Sequence, residues 1–220
     1  KLPLLFHLNG IIGIVGFHFF YFSAINMSPI APVFLLVNLG GVFMFIYAKL
    51  ILGRAITLAH YIGISLSIIG VVFISRSKMN LDNDFSNPIL GYCFAIIASN
   101  CWTFYSVCSA KFKAIKVNAT IYLCLWSALI CMFIYLVTNN SYVVPAPKDF
   151  LLITLLGLFP VGYAFYFWNY GMRFGDVNLI AILAYINPVI TAIWLIIYGL
   201  EKPSYDLAIA LVLIVLGSVI

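Results

Sequence analysis

The chain has 220 residues, of which 65% are hydrophobic and only 8% charged, and its formal net charge is +5. A soluble domain carries about 25% charged residues, so this composition excludes an ordinary water-soluble fold and makes lipid the solvent. The basic excess does not require nucleic acid as a partner, because Lys and Arg of membrane proteins gather in cytoplasmic loops and set orientation.

A helical span needs about 20 apolar residues. Eight stretches qualify: 3–25, 29–51, 57–75, 88–110, 118–138, 149–172, 178–199 and 205–220. Turn residues or charge separate them, as at Asn26-Met27-Ser28-Pro29, Gly53-Arg54, Arg76 to Asn87, Pro145-Ala146-Pro147-Lys148, Gly175-Asp176 and Glu201-Lys202-Pro203. Span 3–25 carries His18, Tyr21 and Phe22 on one face. Span 29–51 carries Asn38 and the pair Gly40-Gly41. Span 57–75 has a small-residue face of Gly63, Ser67 and Gly70, suited to close helix packing. Span 88–110 carries a polar stripe with one large ring, namely Ser99, Trp102, Ser106 and Ser109. On 149–172 and its exit, Tyr166, Asn169 and Arg173 share a face beside Trp168. Span 178–199 presents Asn178, Ala181, Tyr185, Pro188 and Thr191 as a narrow stripe, with Asn187 before the proline. The five cysteines fall in spans without metal or CxxC spacing and read as small residues at helix contacts.

Residues 1–73 align without a gap on residues 148–220, with 13 identities in 73 positions, among them Gly10 on Gly157, Phe20 on Phe167 and Gly70 on Gly217. Spans and loops coincide under the same offset of 147. From the first span of one copy to the first span of the other is a step of five helices, an odd number, so the copies are expected to run inverted in the membrane, as in secondary transporters. The two helices at 88–138 that open the second copy lack counterparts before Lys1, so about sixty further residues, two helices, are expected upstream. The chain lacks an initial Met and any signal-peptide pattern, and does not read as a natural start. Alternate loops place Lys1, Lys49, Arg54, Lys111, Lys113, Lys116 and Arg173 on one side, and Arg76, Lys78, Lys148 and Lys202 on the other. The first side is therefore expected to be cytoplasmic.

Specific stretches add a family likeness. Gly91 to Tyr105 reads as a Gly-started, Ala-rich helix with a central Trp102 and Tyr105 three residues on. Ala184-Tyr185-Ile186-Asn187-Pro188-Val189 leads into Gly199-Leu200-Glu201. Both resemble the EamA branch of the drug/metabolite transporter superfamily, although Leu200 interrupts the family's Gly-Glu pair and the first copy has Gly53-Arg54 instead. Phe17-His18-Phe19-Phe20-Tyr21, Phe167-Trp168-Asn169-Tyr170-Gly171 and Asn178-Leu179-Ile180-Ala181 are similar to runs in aromatic amino acid exporters of that branch. The resemblance implies an all-α membrane protein with an inverted repeat of five plus five helices, eight of them in this chain. Residues 1–75 would be the last three helices of the first repeat, and 88–220 the whole second repeat. It also implies export of aromatic or other neutral amino acids.

Backbone breaks at membrane depth are tolerated where they line a cavity. The offset maps Gly40-Gly41 onto Asn187-Pro188, and matching breaks in matching helices point to a transporter's site. Carbonyls freed there are expected to be open to a substrate ammonium. The expected cavity residues are His18, Tyr21, Asn38, Trp102, Trp168, Asn169, Tyr185 and Asn187, with breaks at Gly40, Gly41 and Pro188. His18 is a group that could bond substrate or carry a proton. No Asp or Glu lies well inside a span, and no HExxH, GxSxG or Walker-type motif occurs, so no enzyme activity and no cofactor is expected. The expected partners are the bilayer of an inner (plasma) membrane and a small metabolite, with no nucleic acid and with a homodimer left open. The rivals are a nucleotide-sugar or phosphorylated-sugar exchanger, which would need cavity cations, a non-transporting scaffold, and an intramembrane enzyme.

Overall fold

The computed structural model describes residues 2–53, 57–79, 85, 87–138, 144–175, 186–200 and 202–219. Among these residues the structure is helical, with no strand. The helices are α1 (Leu4–Met27), α2 (Ile30–Val37), α3 (Gly40–Leu52), α4 (Leu58–Met79), α5 (Pro88–Ser109), α6 (Val117–Thr138), α7 (Pro147–Phe174), α8 (Ile186–Ile197) and α9 (Tyr205–Val219). By length and hydropathy α1, α5, α6 and α7 each suffice to cross a bilayer. The expected span 29–51 is two helices, because the chain turns at Asn38-Leu39 between α2 and α3. Span 178–199 is described only from Ile186.

Local chemistry sets the ends. Asn87 caps α5 by accepting from the Leu90 amide at 3.2 Å, and Pro88 fills the first turn, where no amide partner is needed. Gly53 closes α3 at φ 69°, a left-handed conformation that costs glycine nothing, and Gly199 does the same after α8.

Two helices are locally over-wide. α1 contains a π-helical segment at Ile11–Gly16, and α7 contains one at Gly157–Tyr163. Under the offset of 147 the first maps to 158–163, so the two coincide almost residue for residue. Their local causes differ. In α7, Pro160 has no N–H to give, which breaks the regular ladder. In α1, the matching residue is Gly13, and the ring of Tyr105 from α5 fills the space above it, since a Cβ there would lie 2.2 Å from that ring.

The buried residues form two cores. One joins α1, α2, α5 and α9 through Ala24, Val33, Leu35, Leu36, Ala95, Leu207, Ala210 and Ile214. The other joins α1, α5, α6 and α7 through Phe6, Ile14, Tyr105, Ala119, Leu123 and Phe165. The outer face is apolar: Leu50, Leu58, Phe133 and Phe150 are exposed, an arrangement suited to hydrocarbon and not to water. Two cysteines depart from expectation. Cys93 and Cys131 are exposed on this outer face, while Cys101, Cys108 and Cys124 are partly buried.

α4 packs along α9. Gly70 is the point of closest approach, where an added Cβ would lie 3.0 Å from both the Ala210 carbonyl oxygen and Leu213 Cβ. Gly70→Leu is therefore expected to destabilise the bundle by about 1–3 kcal/mol, through overpacking against backbone that cannot yield. Thermal unfolding in detergent reads this directly. An unchanged midpoint would refute the α4–α9 contact.

Candidate functional site

A cavity of about 650 Å³ lies between α1, α2, α3, α5 and α7, with Asn187 of α8 at its edge. It sits between the two cores. Tyr21 and Val37 pack on the first, whereas Trp102, Val161 and Trp168 pack on the second. His18, Tyr21, Asn38, Trp102, Trp168 and Asn187 all line it, as do Gly40 and Gly41. Tyr185 lies outside the described residues, and of the third break only the backbone is described, with Pro188 in the first turn of α8.

His18 Nδ1 lies 2.7 Å from the Ile14 carbonyl oxygen, in the π-helical segment of α1. A carbonyl only accepts, so Nδ1 carries the proton and a neutral ring keeps Nε2 as an acceptor. Phe17, Phe22 and Phe165 surround the imidazole with centroids at 5.0, 5.9 and 5.8 Å. Phe165 is the residue that the offset pairs with His18, and the two rings meet. Tyr21 stacks on Phe17 at 5.6 Å with planes 5° apart.

Next to this cluster Trp102 and Trp168 lie 5.4 Å apart, and Trp102 meets Phe17 at 5.5 Å and Phe165 edge-on at 5.0 Å. Trp168 Nε1 donates to Ser106 Oγ at 2.9 Å, and that hydroxyl donates to the Trp102 carbonyl at 2.8 Å. The Trp168 indole is thus oriented by α5, and its polar edge is already satisfied.

The break in α2–α3 is saturated from within. Asn38 Nδ2 donates to the Phe34 carbonyl at 2.8 Å and Ser99 Oγ to the Val37 carbonyl at 2.7 Å, while the single proton of Thr103 Oγ1 is shared between the Ser99 carbonyl at 2.8 Å and the Gly40 carbonyl at 3.2 Å. The expectation that freed carbonyls stand open to a substrate is therefore corrected for Phe34, Val37 and Gly40. Hydroxyls of α5 arrive before any ligand. What the break offers the cavity is the side-chain oxygen of Asn38 and its second amide hydrogen, since the first is spent on the helix.

Asn169 also departs from expectation. It is fully buried and does not line the cavity, because its amide donates to the Tyr105 hydroxyl and to the Phe165 carbonyl, the latter at 2.9 Å. Thr103, Phe165, Phe34 and Met172 line the cavity and were not singled out from the sequence. For Phe165 a signal existed, since it aligns with His18 under the offset. Among the described residues no Asp, Glu, Lys or Arg lines the cavity. The site can stack on flat apolar rings and offer a few neutral acceptors. Among the described residues it presents neither a nucleophile–base pair nor a carboxylate for a coupling cation.

The profile of the EamA-like transporter family matches residues 2–76 and 89–220. The chain belongs to that family. It is 32% identical over 212 residues to the aromatic amino acid exporter YddG of Ancylobacter novellus, covering 96% of this chain and 74% of that protein. It is 24% identical over 135 residues to the aromatic amino acid exporter YddG of Escherichia coli, covering 59% of this chain and 45% of that one. An uncharacterized transporter of Archaeoglobus fulgidus is 24% identical over 208 residues, 93% of this chain and 71% of its own length. A crystal structure with 32% sequence identity superposes with a TM-score of 0.77, over 99% of this chain and 76% of the other. The EamA-family chain is accordingly a multi-pass membrane protein of a transporter family.

The hydroxyls that close the helix break are testable. Ser99→Ala leaves the Val37 carbonyl without its partner and is expected to cost about 1–3 kcal/mol. Ser65→Ala removes a similar hydroxyl bond, to the Tyr61 carbonyl, on an exposed face and serves as control. Equal unfolding midpoints for the two variants would show that the break does not depend on α5.

Proposed function

We propose that this protein exports aromatic or other neutral amino acids, or related small metabolites, across a cell inner (plasma) membrane. The observation that carries the reading is the cavity itself: about 650 Å³, walled by Trp102, Trp168, Phe17 and Phe165, with His18 and Asn38 as acceptors and no formal charge among the described lining residues. A flat side chain would stack against the exposed ring faces of this aromatic wall. The ammonium of a zwitterion would donate to His18 Nε2 and to the Asn38 oxygen. The name of the Ancylobacter novellus relative supports this substrate class.

Transport would proceed by alternating access of two inverted copies, residues 1–75 and 88–220, within a five-plus-five helix arrangement. Three features support an internal repeat: the ungapped offset of 147, the coincident π-helical segments, and the contact of the paired residues His18 and Phe165. The sugar-phosphate exchanger is less well supported, because an anionic substrate needs cations. Lys49 is exposed away from the lining and Arg173 is buried outside it.

The test is flux in liposomes with labelled Phe, Trp, Met, Thr and a sugar phosphate, with and without a pH gradient. Uptake of Phe or Trp is expected, and His18→Ala is expected to lower it by about tenfold, the worth of one hydrogen bond to a charged partner. Flux of the sugar phosphate alone would move the assignment to the exchanger. No flux from folded protein would leave the scaffold.

A further inference from the structure

Below the cavity, at the end that carries Lys111, Lys113 and Lys116, a guanidinium is buried. Arg173, in the last turn of α7, is 2% exposed. Its NH1 donates to the Ile115 carbonyl in the α5–α6 loop at 3.0 Å, its NH2 to Asn169 Oδ1 at 3.4 Å, and its carbon lies 5.6 Å from the Phe6 ring centroid. Asn169 donates in turn to the Tyr105 hydroxyl, and Asn9 of α1 donates to the Tyr105 carbonyl at 3.2 Å. One cation thus ties the start of α1, the end of α5, the following loop and the end of α7.

Three features make this a seal that can open. First, it lies directly under the site: Trp168 and Met172, within two turns of Arg173, line the cavity. Second, among the described residues its partners are a carbonyl, an amide and a ring, none negatively charged, and its Nε has no partner. A permanent plug is served as well or better by apolar side chains, since burying an ion without a matched counter-charge is costly. Third, the bonds can be exchanged for water. A guanidinium and a loop carbonyl separated by hydration lose little, whereas an apolar seal pulled apart would wet its whole surface.

We infer that Arg173, through Ile115 and the Asn169–Tyr105 pair, is the latch that closes the lysine-rich end of the cavity and must release for that end to open. The inference rests on the alternating-access reading but not on any substrate. Its test uses a Val37→Cys reporter in the cavity, in a protein with its five cysteines replaced, and a membrane-impermeant maleimide applied to right-side-out and inverted vesicles. A Lys113→Cys reporter identifies which vesicles expose the lysine-rich face. In Arg173→Met, labelling of the cavity reporter from that face alone is expected to rise about tenfold, the worth of one charge-assisted bond in the open–closed balance. Arg173→Lys, which keeps charge but loses the fork, should fall between. Tyr105→Phe, which removes only the hydroxyl, should show a smaller rise of the same sidedness and decides the matter if Arg173→Met does not fold. A folded variant with unchanged labelling, or a rise equal from both faces, overturns the latch. Sided labelling without amino acid flux keeps the latch and overturns the substrate assignment. Flux with unchanged labelling does the reverse.

Discussion

Hydrocarbon offers no hydrogen bonds, so every backbone polar group at membrane depth must find a partner inside the protein. The described structure is organised around the one place where a span is interrupted. Between Val37 and Gly40 the chain turns, and α5 lies alongside with hydroxyls at Ser99 and Thr103 one turn apart. Those two bonds let the chain break without exposing its carbonyls. They also press α5 against α2 and α3, which brings Trp102 to the cavity wall next to the break. Position of the site and satisfaction of the backbone are therefore one problem with one solution.

The cavity inverts the usual logic of a membrane protein. Outside, large apolar side chains are exposed because lipid accepts them. Inside, between the two cores, the walls are aromatic but carry fixed acceptors whose other ends are already tied to backbone: His18 to Ile14, and Asn38 to Phe34. Ties of this kind hold the polar ends still, so a solute meets preorganised partners and does not have to order them. Trp168, held by Ser106, is fixed by the same device.

Much of this was legible in the sequence, and the parts that were not have a common cause. His18, Tyr21, Asn38, Trp102, Trp168 and Asn187 could be picked out because an internal copy and helical spacing are properties of one stretch of chain. The break itself was foreseen at Gly40-Gly41 and occurs just before, at Asn38-Leu39, since a glycine pair marks a weak point without saying which residue turns. Asn169 looked identical in kind to the cavity amides. Its place was decided by Tyr105, Phe165 and Arg173, groups that only tertiary packing assembles. The same holds for Ser99 and Thr103: a hydroxyl stripe was visible on α5, but what it would bond depended on which helix came to lie beside it.

The two π-helical segments carry a consequence for how this cavity can vary. Each wide turn amounts to one extra residue in an otherwise regular helix, so everything beyond it is rotated by roughly 100° relative to an uninterrupted ladder. His18 and Tyr21 follow one such turn, Phe165 and Trp168 the other. The rings thus face one another by virtue of phase as much as identity. Loss of a single residue from Ile11–Gly16 would leave every side chain of the site present and turn His18 away from Phe165. Among relatives of this chain, a one-residue gap at that position would therefore signal a different pocket even where the aromatic motif reads the same.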